Sequence, residues 1–244
     1  MSHLPKVLNA LSNLLNYPDE HTVQTAELLY VLLMDELPEA ASEASVFGAF
    51  VDQHELWEVE EAFTGTFDVN PPCALEVGWH LFGEEYARGL FLVRMREELR
   101  KYNLPESVEL TDHLHHVLAV VAAMPDDEAT RFVKACVQPA VEKMKAAVDR
   151  QETAYAPVVS CLAMVLRHTW GEAVEDNSFV SSENRRDAFG SDPLHAYPVA
   201  DVMAGGASSC GEPLDLVPLT LGSSLAGSET SVELHPALAS ARKS

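Results

Sequence analysis

The chain has 244 residues, 47% of them hydrophobic, and carries 38 acidic against 16 basic side chains, a formal net charge of −22. Nucleic acids and anionic membrane surfaces are negatively charged themselves, so this composition argues against either as a partner. Two interpretations of the charge stay open: it keeps the protein in solution, or it also attracts a basic partner.

Features of export and membrane insertion are not apparent in the sequence. Residues 1–15 lack the basic region, long apolar run and small-residue cleavage site of a signal peptide. No run of about 18 apolar residues occurs, so no membrane span is expected. The four cysteines are far apart and form no CxxC pair, a pattern typical of reduced cytosolic thiols: Cys73, Cys136, Cys161 and Cys210. We therefore expect a cytoplasmic protein.

Apolar residues recur at three- and four-residue steps over most of the first 170 positions, which predicts helices. In chain order the predicted helices cover about residues 4–17, 19–37, 41–54, 55–64, 75–102, 111–124, 125–148 and 151–168. A loop is expected over 66–73, because Asn70-Pro71-Pro72 does not continue a helix. Thr111 is a candidate N-cap, and Pro139 should kink its helix. The pattern predicts an all-α fold, a single helical bundle.

Composition changes near Gly171. Residues 171–244 contain 12 Ser, 7 Gly and 5 Pro, a share typical of irregular chain. We therefore place a folded helical domain at residues 1–170 and a mostly irregular tail at 171–244. A short apolar stretch within that tail, around residues 214–221, is a segment that could dock.

The most informative cluster lies within the predicted helix 75–102. His80, Glu84 and Arg88 are spaced by four residues and would share one ridge of a continuous helix. Two glycines, Gly83 and Gly89, interrupt that ridge at a cost of roughly 1 kcal/mol each, so a close helix contact or a ligand should compensate. The ridge is then either a solvated stripe of ion pairs or a contact surface.

Other chemistry has weaker support. His80 with Glu84, or His113 with His116, could supply two metal ligands, but a third ligand and an HExxH pattern are missing. No phosphate-binding loop, dinucleotide fingerprint or nucleophile elbow is present. Trp57, Trp79 and the phenylalanines sit at helical spacing and are predicted to be core residues. We expect no catalysis, no metal and no bound cofactor.

The order of these motifs resembles the NarJ family of nitrate reductase assembly chaperones, in the wider TorD/DmsD group. The resemblance rests on Phe67-Asp68, on H-x-x-G-E-x-x-x-R-G at His80, Gly83, Glu84, Arg88 and Gly89, on Tyr102-Asn103, on Met124-Pro125, and on Glu152 to Tyr155. The chain departs from the family pattern at Thr111 and His115, where prolines are usual, and at Glu85, where serine is usual.

The resemblance implies a protein that binds the N-terminal segment of the apo catalytic subunit of a molybdoenzyme in the cytoplasm. It would hold that client until the molybdenum cofactor is inserted, without catalysis of its own. The candidate client-binding residues are His80, Glu84, Tyr86, Arg88, Asp112 and His113. Two alternatives stay open: a helical regulatory or scaffold protein, and a metal-carrying protein or enzyme that uses His80, Glu84 and the His113 cluster.

Overall fold

The computed structural model describes residues 3–172, and within this range the regular structure is helical. The all-α prediction is confirmed. Ten α-helices follow in chain order: α1 Leu4–Leu14, α2 Thr22–Leu33, α3 Pro38–Gln53, α4 Leu56–Phe63, α5 Val77–Phe82, α6 Tyr86–Lys101, α7 Leu114–Ala123, α8 Asp126–Phe132, α9 Gln138–Gln151 and α10 Ala156–Trp170. Apart from Gly171 and Glu172, the predicted tail at 171–244 lies outside the described residues, as does Cys210.

The helices pack side by side around one apolar core. Helix α1 packs on α2 and α7, α2 packs on α3, α3 packs on α10, and α10 packs on α9. The predicted apolar face of α1 is buried, with Val7, Leu8, Leu11 and Leu14 almost fully shielded from solvent.

No helix among residues 3–172 is long and apolar enough to span a bilayer.

The helix predicted over 75–102 is wrong in its continuity. It is broken into α5 and α6 at Gly83, whose φ of 59° and ψ of −131° are not helical. Glycine tolerates this left-handed φ because it has no Cβ. Because the helix is interrupted between His80 and Arg88, the four-residue spacing of His80, Glu84 and Arg88 does not produce the ridge of one continuous helix.

Two further details differ from the sequence prediction. The loop expected at 66–73 contains a π-helical turn, Thr64–Asp68, and a 3₁₀ turn, Pro71–Cys73. The N-cap of α7 is His113, whose ring nitrogen accepts from the His115 N–H, and not Thr111. The Thr111 hydroxyl donates instead to the Leu92 carbonyl at 2.8 Å.

The predicted kink at Pro139 takes the form of a π-helical turn, Val133–Val137, between α8 and α9. Pro139 then occupies the first turn of α9. Proline has no N–H and is best accommodated in the first turn of a helix, where that donor is not needed. Helix α9 therefore begins at Gln138, one residue before Pro139, and the single predicted helix is found as α8 and α9 joined by the π-helical turn.

The ring of Tyr155 is the centre of an aromatic cluster in the core. Its centroid lies 4.9 Å from that of Phe47, 5.5 Å from that of Phe63 and 5.2 Å from that of Phe67. These distances are typical of favourable edge-to-face and tilted ring pairs. The cluster joins α3, α4 and the π-helical turn Thr64–Asp68 to the start of α10. It therefore supports the segment that bears Phe67 and Asp68.

We expect Tyr155→Phe to leave the free energy of unfolding unchanged or to raise it. The Tyr155 hydroxyl is buried and has no hydrogen-bond partner among residues 3–172, and burial raises its pKa well above the usual range. Removing a buried, unpaired polar group relieves a desolvation cost of about 1–3 kcal/mol. Urea unfolding of the two proteins measures the difference. A clear loss of stability in the variant would show that the hydroxyl is hydrogen-bonded in solution.

Candidate functional site

Two neighbouring cavities lie beside Tyr17, whose side chain lines both. The outer cavity has a volume of about 400 Å³ and is lined by Tyr17 and by residues of α4 and the segment after it: Trp57, Glu60, Glu61, Thr64, Gly65 and Val69. The inner cavity has a volume of about 340 Å³. Both volumes are at the small end for ligand pockets. We refer to the two cavities together as the groove; their linings include residues from α4 to Arg88 of α6.

The inner cavity combines an apolar wall with several charged groups. Its apolar and aromatic lining is Tyr17, Phe63, Phe67, Pro71, Ala74, Leu75 and Trp79. Its polar lining is Asp68, Glu76, Arg88, Glu109 and His113. The indole N–H of Trp79 donates to the Pro71 carbonyl at 3.0 Å and fixes the orientation of this ring. The 3₁₀ turn therefore sets the position of one aromatic wall.

A short antiparallel pairing brings the two polar segments of the inner cavity together. The Val77 N–H donates to the Asp112 carbonyl at 2.9 Å, and the Leu114 N–H donates to the Leu75 carbonyl at 2.8 Å. Glu76 and His113 are the residues directly opposite each other in this bridge. Opposed residues project to the same side of a β-bridge. The pairing thus places both side chains in the wall of the cavity.

His113 contributes a neutral imidazole. The side chain is only 5% exposed, and burial, with smaller contributions from His115 and His116, lowers its pKa to about 3. Its Nδ1 accepts from the His115 N–H at 3.1 Å. Because the neutral ring carries one proton and Nδ1 accepts, the proton is on Nε2. The ring therefore brings a hydrogen-bond donor, not a charge, to the cavity.

A buried ion pair stands behind Trp79. The Arg88 Nε lies 3.2 Å from the Asp112 Oδ2, and the Asp112 side chain is 0% exposed. Burial raises the pKa of Asp112, and the charge of Arg88 partly opposes that shift. The guanidinium also lies 5.8 Å from the centroid of the Trp79 ring. The Asp112 carboxylate and the Trp79 ring thereby hold Arg88 in place as part of the wall of the inner cavity.

Gly78 is what allows this pair to approach α5. A Cβ on Gly78 would lie 2.6 Å from the Asp112 Oδ2 and 3.0 Å from the Phe91 ring. Distances under 3.0 Å are sterically prohibitive, so glycine is needed here for close approach. Gly83 and Gly89, the glycines that stood out in the sequence, have nothing within 4 Å of such a Cβ.

Three carboxylates lie along the other side of the inner cavity. Glu76 and Glu109 are half-buried, and Asp68 is exposed. Burial raises the pKa of Glu109, and the charges of Asp68 and Glu76 raise it further. The effect of their charges on the pKa of Glu109 shows that Asp68 and Glu76 lie close enough to repel it. The inner cavity therefore has an electronegative side.

The outer cavity leaves apolar surface in contact with water. Trp57 is 61% exposed and Val69 is 72% exposed, so the prediction that Trp57 is a core residue is wrong. Glu60 and Glu61 line the same cavity. Exposed aromatic surface next to charged residues is typical of interaction sites in proteins. The groove is thus suited to an amphipathic, basic segment of chain.

A family model described as nitrate reductase delta subunit matches residues 33–160, more than half of the chain. The chain belongs to the nitrate reductase delta subunit family. The matched range includes α3 to α9, the start of α10, and most of the lining of both cavities. Comparison with curated proteins finds no match. The family consists of NarJ-type chaperones that assist nitrate reductase assembly and are not enzymes.

Family membership does not by itself identify the binding residues, and the structure places the six candidates in three different settings. Arg88 and His113 line the inner cavity, and Asp112 lies buried behind Arg88. Glu84 and Tyr86 are exposed at the break between α5 and α6, with Tyr86 81% exposed. His80 is partly buried, and its Nε2 is 2.7 Å from the Ala74 carbonyl oxygen.

The histidines considered as metal ligands have separate partners. The Ser12 Oγ lies 3.1 Å from the His115 Nδ1, and the Ser107 Oγ lies 3.1 Å from the His116 Nε2. The described part of the chain contains no group of three or more His, Cys, Asp or Glu side chains arranged to hold a metal. His115 and His116 therefore connect α7 to α1 and to the loop before α7.

Sequence reasoning did not select most of the cavity lining. Tyr17, Glu76 and Glu109 lie far apart in the chain and in no recognisable motif. The one available signal was Phe67-Asp68 followed by Asn70-Pro71-Pro72, where an aromatic and an acid adjoin a segment that cannot be helical. Gly78 was also missed, because its close contacts come from α6 and from the segment before α7.

Proposed function

We propose that this chain binds the N-terminal segment of the apo catalytic subunit of a nitrate reductase in the groove formed by the two cavities. It would hold the client in the cytoplasm until the client's molybdenum cofactor is inserted. The observation that carries the proposal is the exposed aromatic surface of the outer cavity, which continues through Tyr17 into the acidic inner cavity. Membership of the nitrate reductase delta subunit family supports the choice of client.

The physical character of the groove suits this task. Covering Trp57, Val69 and Tyr17 with apolar side chains of a client would remove apolar area from water at roughly 25 cal/mol per Å². An amphipathic helix is the kind of segment that apolar grooves on helical proteins accept. The acidic groups beside the groove would accelerate encounter with a basic segment. Retention of a client needs no reaction chemistry, in agreement with a non-enzymatic family.

The six candidate residues take different parts in this proposal. Arg88 and His113 would contact the client as walls of the inner cavity, and Glu84 and Tyr86 are accessible for further contacts. Asp112 would act by holding Arg88, since its own side chain is out of reach of a partner. His80 would act through the Ala74 backbone that lines the inner cavity.

We expect Trp57→Ala to weaken binding of the client's N-terminal peptide by about tenfold, because a large exposed aromatic is the usual anchor of such an interface. The fold should tolerate the change, since most of the indole is already in water. Titration calorimetry with the synthetic peptide, together with thermal melting of each protein, measures both quantities.

Leu28→Ala is the matched control for this experiment. Leu28 is 51% exposed on α2 and lines neither cavity, so its removal should leave the affinity unchanged. Equal losses in the two variants would place the binding site outside the groove. Failure of the wild-type protein to bind any N-terminal peptide of a nitrate reductase catalytic subunit would reject the chaperone function and favour a regulatory or scaffold role.

A further inference from the structure

We propose that the inner cavity is a specificity pocket for one basic side chain, a lysine or an arginine, of the client's N-terminal segment. This inference rests on the proposed function and names the chemistry that the cavity would select. The groove as a whole would accept any apolar helix, whereas this cavity would require a cation at one position.

The carboxylates of the cavity lack a cation of their own. Among residues 3–172, Asp68, Glu76 and Glu109 make no ion pair within 4.0 Å. The cation that lines the cavity, Arg88, is already paired with the buried Asp112. His113 is neutral. An incoming ammonium or guanidinium would thus meet three uncompensated acids.

Repulsion among these acids makes the binding of a cation more favourable. The pKa of Glu109 is raised by burial and by the charges of Asp68 and Glu76, so the empty cavity holds negative groups at an electrostatic cost. A positive group between them would replace repulsion by attraction. Because two of the three acids are half-buried, salt would screen this interaction less than it screens an exposed pair.

His113 supplies a hydrogen-bond donor to the same cavity. The residue is more than nine-tenths buried and lines the cavity, and its Nδ1 is occupied by the His115 N–H. The protonated Nε2 makes no hydrogen bond within residues 3–172, so it is able to donate to a guest. A donor beside three acids suits a peptide segment, which offers a backbone carbonyl close to its basic side chain.

The aromatic walls suit the rest of a long basic side chain. The rings of Tyr17, Phe67 and Trp79 line the cavity and can pack against the methylene stem of a lysine or an arginine. A cation over an aromatic face gains further attraction. A cavity of about 340 Å³ has room for a side chain but not for a helix. The client backbone would therefore lie across the opening and insert one residue.

The test is a double-mutant cycle between the pocket and the peptide. Each lysine or arginine of the client peptide is replaced in turn by methionine, which keeps the apolar stem and removes the charge. With the full wild-type chain we expect one such replacement to weaken binding by about tenfold and the others to have small effects. With Glu76→Gln/Glu109→Gln the same replacement should have a much smaller effect, because the two half-buried acids of the pocket no longer carry a charge and only the exposed Asp68 remains.

Glu27→Gln/Asp35→Asn is the charge-matched control, since it removes two exposed acids that line neither cavity. In this control the tenfold loss should persist. Equal losses in the pocket and control variants, or full affinity of every methionine peptide for the wild type, would overturn the pocket while the peptide binding itself stands. No binding of the unmodified peptide to the wild type would overturn both this inference and the proposed function.

Discussion

Arg88→Met is expected to lower the free energy of unfolding by about 3–5 kcal/mol, because it leaves the fully buried Asp112 carboxylate without its cation. Methionine keeps an unbranched apolar stem of similar reach, so the loss should come from the charge and not from a cavity. Urea unfolding at neutral pH measures the effect. The sequence alone placed Arg88 on a ridge that was either a solvated stripe of ion pairs or a contact surface, whereas the structure pairs it with a buried acid.

The loss of unfolding free energy caused by Arg88→Met should become smaller as the pH falls. The pKa of Asp112 is already raised by burial, and removing Arg88 takes away the charge that opposes the shift. A carboxyl whose pKa is raised in the folded state binds more protons than the unfolded chain, so the folded state gains stability as the pH falls through that raised pKa. The difference between variant and wild type should therefore narrow in acid.

Two comparisons make the result specific to the buried pair. Arg131→Met breaks the exposed pair with Asp127 and should cost less than about 1 kcal/mol. Arg88→Met/Asp112→Leu removes both charges and should recover much of the stability lost in the single variant. A loss that is independent of pH and is not recovered in the double variant would show that Arg88 contributes by packing alone.

Gly78→Ala is expected to destabilise the protein by about 3 kcal/mol, at the upper end of the cost of overpacking a core. The new Cβ would stand 2.6 Å from the Asp112 Oδ2, which is buried and paired with Arg88, and 3.0 Å from the buried Phe91 ring. The buried carboxylate would have to move from Arg88. Client binding should also weaken, since Arg88 is a wall of the inner cavity.

Gly89→Ala is the control for this substitution. Gly89 lies in α6 with nothing within 4 Å of an added Cβ, and alanine is favoured over glycine in a helix by roughly 1 kcal/mol. This variant should be more stable than the wild type. Thermal melting of both variants tests whether Gly78→Ala lowers the stability and Gly89→Ala raises it. A stable Gly78→Ala protein with normal binding would mean that α5 and Asp112 are not as close in solution.

Local patterns in the sequence were sufficient for the fold class and for most helices. The apolar spacing of α1 and α2 predicted both the helices and their buried faces, since a helix on a protein surface needs an apolar side; α3 was predicted as a helix, but Val46 of its expected apolar face is 55% exposed. The prolines marked real interruptions at Pro38, at Pro71-Pro72 and at Pro139, because a missing N–H and a fixed φ act locally. The order of the motifs also indicated the family, which the match over residues 33–160 confirms.

Only the tertiary structure decided where the groove lies and what Arg88 and His113 do. The spacing of His80, Glu84 and Arg88 was interpreted on a continuous helix, but the left-handed φ of Gly83 ended it. Asp112 became the partner of Arg88 because residues 75–77 pair with 112–114, a contact between segments that are distant in the chain. Such a pairing depends on how several helices pack together, so short-range periodicity in the sequence does not predict it.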